Sequence, residues 1–110
     1  MAVVIAKVDK SDPSLAFKYR LADCLTKRRL GDFIKALENA DALLDEVLSE
    51  RAKHADGSKL WDKLTRISVD ILKERVCLLA RMQKYQSAED SYEASLALQL
   101  ELYGGPGARR

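Results

Sequence analysis

The stretch YQSAEDSYEASLALQLELY, residues 85–103, decides the fold. Tyr85, Ala88, Tyr92, Ser95, Leu96, Gln99 and Tyr103 recur at intervals of three and four, the spacing of one face of a helix with about 3.6 residues per turn. Ala88 and Ser95 are small enough for a neighbouring helix to approach closely, and the tyrosine rings are expected to fill the gap that remains. Gly104-Gly105-Pro106-Gly107 then ends the segment, since proline lacks the amide hydrogen and clashes with the preceding turn.

The sequence before this stretch divides into three more helices. Ser11-Asp12-Pro13-Ser14 is a start signal: a side-chain oxygen of Ser11 or Asp12 can accept an orphan amide, and Pro13 suits the first turn. The first helix, α1, is predicted from residue 12 to about Arg29, with one stripe of Leu15, Tyr19, Ala22 and Leu25 and another of Phe17, Leu21 and Cys24. Two stripes imply contacts on two sides. At Gly31-Asp32 the glycine can adopt the left-handed turn conformation and the aspartate can cap the next helix, so a tight antiparallel hairpin follows. The second helix, α2, is predicted from Phe33 to about His54, with Phe33, Leu37, Ala40, Leu44, Val47 and Leu48 on its apolar face. Asp56-Gly57-Ser58 ends α2 and Ser58 caps α3, predicted to run to about residue 83. Its many apolar residues, Leu60, Trp61, Leu64, Ile67, Ile71 and Leu72 among them, make it the most buried helix. The chain then turns into α4, residues 85–103, with Gln83 standing where a glycine is common.

Residues 12–103 thus form one helical domain between an arm (1–11), expected to tuck onto the helices, and a flexible tail (104–110). A chain of 110 residues can bury ~65% of its unfolded surface. Its 33% charged and 47% apolar residues suit a soluble helical protein. Cys24 and Cys77, each mid-helix beside apolar neighbours, read as buried free thiols of a reducing compartment such as the cytoplasm. No run approaches the ~18 apolar residues of a membrane span, and the short patch Ala2–Ala6 lacks the basic leader and long apolar core of a secretory signal. Membrane association is not expected.

An aromatic residue, alanine three on, an aromatic four on, then a small residue, leucine and a later proline is the order filled by Tyr85, Ala88, Tyr92, Ser95, Leu96 and Pro106. It resembles the second helix of a tetratricopeptide repeat. The segment LALQLELYG followed by Pro106 looks most similar to the repeats of kinesin light chains. The resemblance implies an all-α fold of two antiparallel helical hairpins, α1–α2 and α3–α4, and a role in protein–protein interaction as an adaptor or subunit, with a possible cytoskeletal association. The first hairpin fits less well. Phe33, Ala36, Leu43 and Leu44 match, but Ala40 replaces the second aromatic and α1 lacks the usual Trp-Leu-Gly arrangement. Ala36 and Ala88 lie 52 residues apart, against a family period of about 34. The extra residues are expected to lengthen α2 and α3 at their shared end. A closed four-helix bundle with a structural role is the alternative reading of the same pattern.

Little in the sequence carries catalytic chemistry. The one histidine, His54, sits at the polar end of α2, where a helix C-terminus favours a cation. No Cys-x-x-Cys, His-x-x-x-His, His-Glu-x-x-His or phosphate-binding glycine loop occurs. No catalytic, cofactor-binding or metal-binding residue is expected, and a small enzyme or metal-binding bundle is a distant rival. The charges, however, are sorted by helix. Residues 12–30 and 58–83 each carry a net +3, whereas 31–57 carry −4 and 84–103 carry −3. In tetratricopeptide arrays the first helix of each hairpin lines the groove. The resemblance therefore implies a basic groove presenting Arg20, Lys27, Lys73 and Arg81 to an acidic peptide or protein. The plainer account is that the basic and acidic helices complement one another. Nucleic acid is disfavoured, because the acidic helices would repel it and no exposed aromatics are interleaved with the basic residues. In α4, Leu98, Leu100 and Leu102 alternate with other residues and so point to more than one side. Leu98 and Leu102 are expected to form a second surface, for a partner protein or a homodimer.

Overall fold

The computed structural model describes residues 12–103; the expected arm and tail lie outside the described residues. The architecture is all-α, two antiparallel hairpins built from α1 (Ser14–Arg29), α2 (Phe33–Arg51), α3 (Lys59–Arg81) and α4 (Tyr85–Tyr103). The Asp12 carboxylate opens α1, accepting the Ser14 amide at 2.9 Å and the Ser14 hydroxyl at 2.5 Å. Asp32 caps α2 by accepting the Lys35 amide at 3.3 Å, and Ser58 caps α3 by accepting the Trp61 amide at 3.2 Å. α2 stops at Arg51 rather than near His54, because residues 52–54 tighten into a turn whose Lys53 and His54 amides donate to the Glu50 and Arg51 carbonyls.

The two hairpin turns repeat bond for bond. In the first, Gly31 has φ 87° and its amide donates to Arg28 O, while the Asp32 amide donates to Lys27 O. In the second, Gln83 has φ 62° and donates to Ala80 O, while Lys84 donates to Leu79 O. Each partner lies 52 residues further on. α2 and α4 also share one length, 19 residues, so the lengthening expected of α2 does not set it apart from α4. The extra length shows in α3, which has 23 residues against the 16 of α1.

α3 is the central and most buried helix, packing against α1, α2 and α4, while α1 packs on α2 and α3. The described residues span 40 × 40 × 17 Å, and α1 and α4 share no extensive contact. Phe17, Cys24, Ala40, Leu43, Val47, Leu64, Ile67 and Ile71 form the main core. Fully burying each of the leucines and isoleucines stabilises the fold by roughly 1.5–3 kcal/mol.

α4 meets α3 along Ala88, Ser91, Ser95 and Leu102, all buried. The tyrosines expected to fill this seam are instead exposed, Tyr85 at 66% and Tyr92 at 53%. With alanine and serine lining the contact the two backbones come close, which leaves no gap for a ring. Two arginines tie the stack across its layers. Arg51 lies over the Trp61 ring at 4.3 Å and donates to Thr65 Oγ1 and Glu101 Oε1, both at 2.7 Å. Arg75 donates to Asp41 Oδ1 at 2.6 Å and to Ser91 Oγ at 2.7 Å.

Candidate functional site

The surface of α3 that no other helix covers is a single stripe: Lys59, Lys63, Arg66, Asp70, Lys73, Cys77 and Arg81, spaced by three and four and all exposed. Five cations face outward there with one carboxylate. Lys63 reaches Asp12 at 2.9 Å, and the Arg66 guanidinium stands 5.9 Å from the centre of the Tyr103 ring. Lys59, Lys73 and Arg81 form no salt bridge among the described residues. A shallow groove lies on each side of the stripe. Toward α1 it is lined by Leu21, Leu25, Asp70, Lys73, Glu74 and Cys77, and toward α4 by Arg66, Val69, Asp70, Lys73, Gln99, Leu102 and Tyr103.

Of the four basic residues expected to share a groove, Lys73 and Arg81 lie on this stripe and Arg20 and Lys27 do not. Arg20 forks onto Glu46 of α2, at 2.8 and 2.7 Å. Lys27 bonds Asp23 of its own helix at 2.6 Å. Both stand three or four residues from the buried Cys24, on the flank of α1 beside acidic α2. The Arg20 hydrogen bond holds the Glu46 carboxyl below its usual range. Arg28, the α1 cation nearest the stripe, is spent internally on Glu74 of α3, whose side chain is only 5% exposed. Much of the charge sorting is therefore neutralised between helices, by Arg20–Glu46, Arg28–Glu74 and Arg75–Asp41. The sequence reading missed Lys59, Lys63 and Arg66 as members of one face, although their spacing with Lys73 and Arg81 was a legible signal.

The second expected surface also moves. Leu102 is 2% exposed and Leu98 half-buried, because both continue the helical row that begins at Ser91 and Ser95 and faces α3. The apolar residues that α4 leaves open are Tyr85, Tyr92, Leu96, Leu100 and Tyr103, a row along the whole helix, with Leu100 57% exposed. At the other end of the stack, Leu15 and Tyr19 of α1 are exposed at 42% and 37%. Tyr19 lines a largely apolar groove of about 530 Å³ with Ala16, Arg20, Asp23, Cys24, Asn39 and Ala42.

Both thiols are free; Cys24 is buried, and burial pushes its pKa up, whereas Cys77 is exposed on the basic stripe, against expectation. His54 Nε2 lies 3.2 Å from Glu50 Oε2. Among the described residues no three His, Cys, Asp or Glu side chains gather as a metal site, and no helix is long and apolar enough to cross a membrane. No known protein family, curated protein or solved structure matches the chain.

Proposed function

We propose that the chain is a protein–protein interaction module of tetratricopeptide-like hairpins. It offers a basic stripe on α3 to acidic segments of a partner and an apolar face on α4. The observation that carries this reading is the juxtaposition of the two at one groove: Arg66 and Lys73 of the stripe line it together with Gln99, Leu102 and Tyr103 of α4, and Arg66 stands over the exposed Tyr103 ring. An extended peptide carrying carboxylates and an apolar anchor finds both chemistries on one side of the stack. Electrostatic attraction of this kind speeds encounter and selects partners by charge. As an adaptor of this class the chain would work in the cytoplasm.

The test is a fluorescence titration of the intact chain with glutamate-rich peptides that carry one apolar anchor, at low and at physiological salt. Binding is expected to weaken as salt rises. It should be lost in Lys73→Glu/Arg81→Glu, with Arg20→Glu having little effect. Equal binding by the double charge reversal and the wild type would refute the reading.

A further inference from the structure

We infer that the chain associates head to tail with a second copy of itself: the apolar face of α4 on one copy seats on the outer α1/α2 face of the next. The inference rests on reading α4 as an interaction surface and names what covers it. It starts from the internal repeat. Because the two hairpin turns coincide bond for bond at an offset of 52 residues, residues of α4 correspond to residues of α2, and residues of α3 to residues of α1, at that offset. The exposed Tyr85, Tyr92, Leu96 and Leu100 correspond to Phe33, Ala40, Leu44 and Leu48 of α2. Those four are buried or half-buried, on the apolar face that α2 turns to the rest of the stack. On α1, the exposed Leu15 and Tyr19 correspond to Ile67 and Ile71 of α3, which belong to the core cluster with Ala40, Leu43 and Val47 of α2. Among the described residues, the uncovered faces of α1 and α4 correspond to the two halves of the α2/α3 contact, and neither has its mate.

The register of that contact fixes which residues would meet. Arg51 stacks on Trp61 and Arg75 bonds Asp41, so α2 and α3 run antiparallel with those residues near the same levels. Carried across by the offset, Leu100 comes level with Leu15, and Leu96 with Tyr19. Where α2 and α3 bring Leu37 near the level of Leu79, the copies would bring Glu89 of α4 near Lys27 of α1. An apolar pair is thereby replaced by an opposite-charge pair. The net charges of the two segments are opposite, +3 over residues 12–30 and −3 over 84–103, although Arg20 and Arg28 are already paired with Glu46 and Glu74. One pair is mismatched: Glu93 would stand near Asp23 where the chain itself has Asp41 and Arg75. The Lys27 amine, 2.6 Å from Asp23, offsets it. A symmetric contact of α4 with α4 has no such complementarity, since Glu89, Asp90, Glu93 and Glu101 would face their own kind. A head-to-tail contact joins unlike patches, so each pair of copies keeps a free head and a free tail, and growth ends only if a ring closes.

Two variants of the intact chain test this, a tail variant Leu96→Glu/Leu100→Glu and a head variant Leu15→Glu/Tyr19→Glu. Circular dichroism first shows that both fold, and Lys27→Glu serves as the head variant should the first lose helicity. In sedimentation velocity the wild type should grow in mass with concentration, and each variant alone should stay monomeric. An equimolar mixture should give one heterodimer and nothing larger, because a single intact head and a single intact tail remain. Lys27→Glu should weaken association, and the wild-type level should return when it is paired with Glu89→Lys. A head variant that still dimerises by itself would overturn the inference in favour of an α4–α4 contact. A wild type that stays monomeric at millimolar concentration would overturn it in favour of a different occupant of α4, whether residues 1–11 or another protein. The peptide reading stands or falls with the α3 charge reversal Lys73→Glu/Arg81→Glu, and self-association with the variants at Leu15, Tyr19, Leu96 and Leu100, so the two failures are separate results.

Discussion

Replacing Arg28 by methionine tests the internal use of charge. The substitution keeps an unbranched stem between α1 and α3 but removes the guanidinium from Glu74, whose side chain is 5% exposed while that of Arg28 is 21% exposed. Removing one partner of a buried ion pair costs about 3–5 kcal/mol, because the remaining charge is left desolvated and unpaired. Water reaches the Arg28 end, so the lower end of that range, ~3 kcal/mol, is expected here. A domain of this size has a total stability of roughly 5–15 kcal/mol, so the loss is a large fraction. At ~4–8 °C per kcal/mol for a small domain, the melting temperature should fall by more than ~10 °C. Urea denaturation of the wild type, Arg28→Met, Glu74→Leu and the double variant measures the coupling directly. Arg28→Met/Glu74→Leu should recover most of the loss, since an apolar pair of similar volume replaces the ion pair. If Arg28→Met alone costs under ~1 kcal/mol, or the double variant is as unstable as the single, Glu74 is not dependent on Arg28 and the argument fails.

Four further outcomes follow from the geometry. Gly31 has φ 87° and open space where a Cβ would stand, with no neighbouring atom within 4 Å, so Gly31→Ala should cost ~1 kcal/mol through backbone strain alone, whereas Gln83→Gly, at φ 62°, should gain a few tenths or more; thermal melts giving the opposite signs would mean the two turns are not equivalent. Ala88→Leu should overpack the α3/α4 seam and cost ~1–3 kcal/mol, while Tyr92→Ala should change monomer stability by less than ~0.5 kcal/mol, and equal effects in a melt would misplace the seam. Asp12 is held down to about 2 by hydrogen bonds from Ser14 and Lys63, so its stabilisation is fully present above the ordinary carboxylate value and is lost as pH falls toward 2; the stability difference between the wild type and Asp12→Asn should therefore be flat from neutral pH to about 4 and shrink below it. A thiol reagent should modify Cys77 in the native chain at once and Cys24 only on unfolding, and equal rates would contradict the burial of Cys24.

The helix starts and the first hairpin turn were legible because they rest on local chemistry, whereas the end of α2 was placed about three residues too late. Gly31-Asp32 and Ser58 act within a few residues, and α4 begins at Tyr85, where its periodicity places it. The facing of α4 was not legible. Its row of tyrosines and its row of small residues have the same period, and only the presence of α3 decides which one is covered. Nor could the sequence assign the cations, because Arg20 meets a carboxylate 26 residues away and Arg28 one 46 residues away. The basic stripe of α3 needed no partner to be seen, since its members lie on one helix at helical spacing.

The 52-residue correspondence also separates what holds the chain together from what it offers outside. At the positions where α3 buries Leu72, Leu78 and Leu79, α1 has Arg20, Thr26 and Lys27. Where α2 has Leu37 and Val47, α4 has Glu89 and Gln99. Of these, Leu79 to Lys27 and Leu37 to Glu89 fall at one level of the proposed contact between copies, and each puts a charged group where the chain itself has an apolar one. Terminal elements of stacked helical proteins need such polar outer faces, yet Leu15, Tyr19, Tyr92, Leu96 and Leu100 were not exchanged. The internal α2/α3 contact keeps an apolar centre edged by the Arg51–Thr65 and Arg75–Asp41 bonds, and it is independent of concentration. The external one keeps a reduced apolar centre framed by opposite charges, the composition expected of a contact that forms and dissolves with concentration and salt.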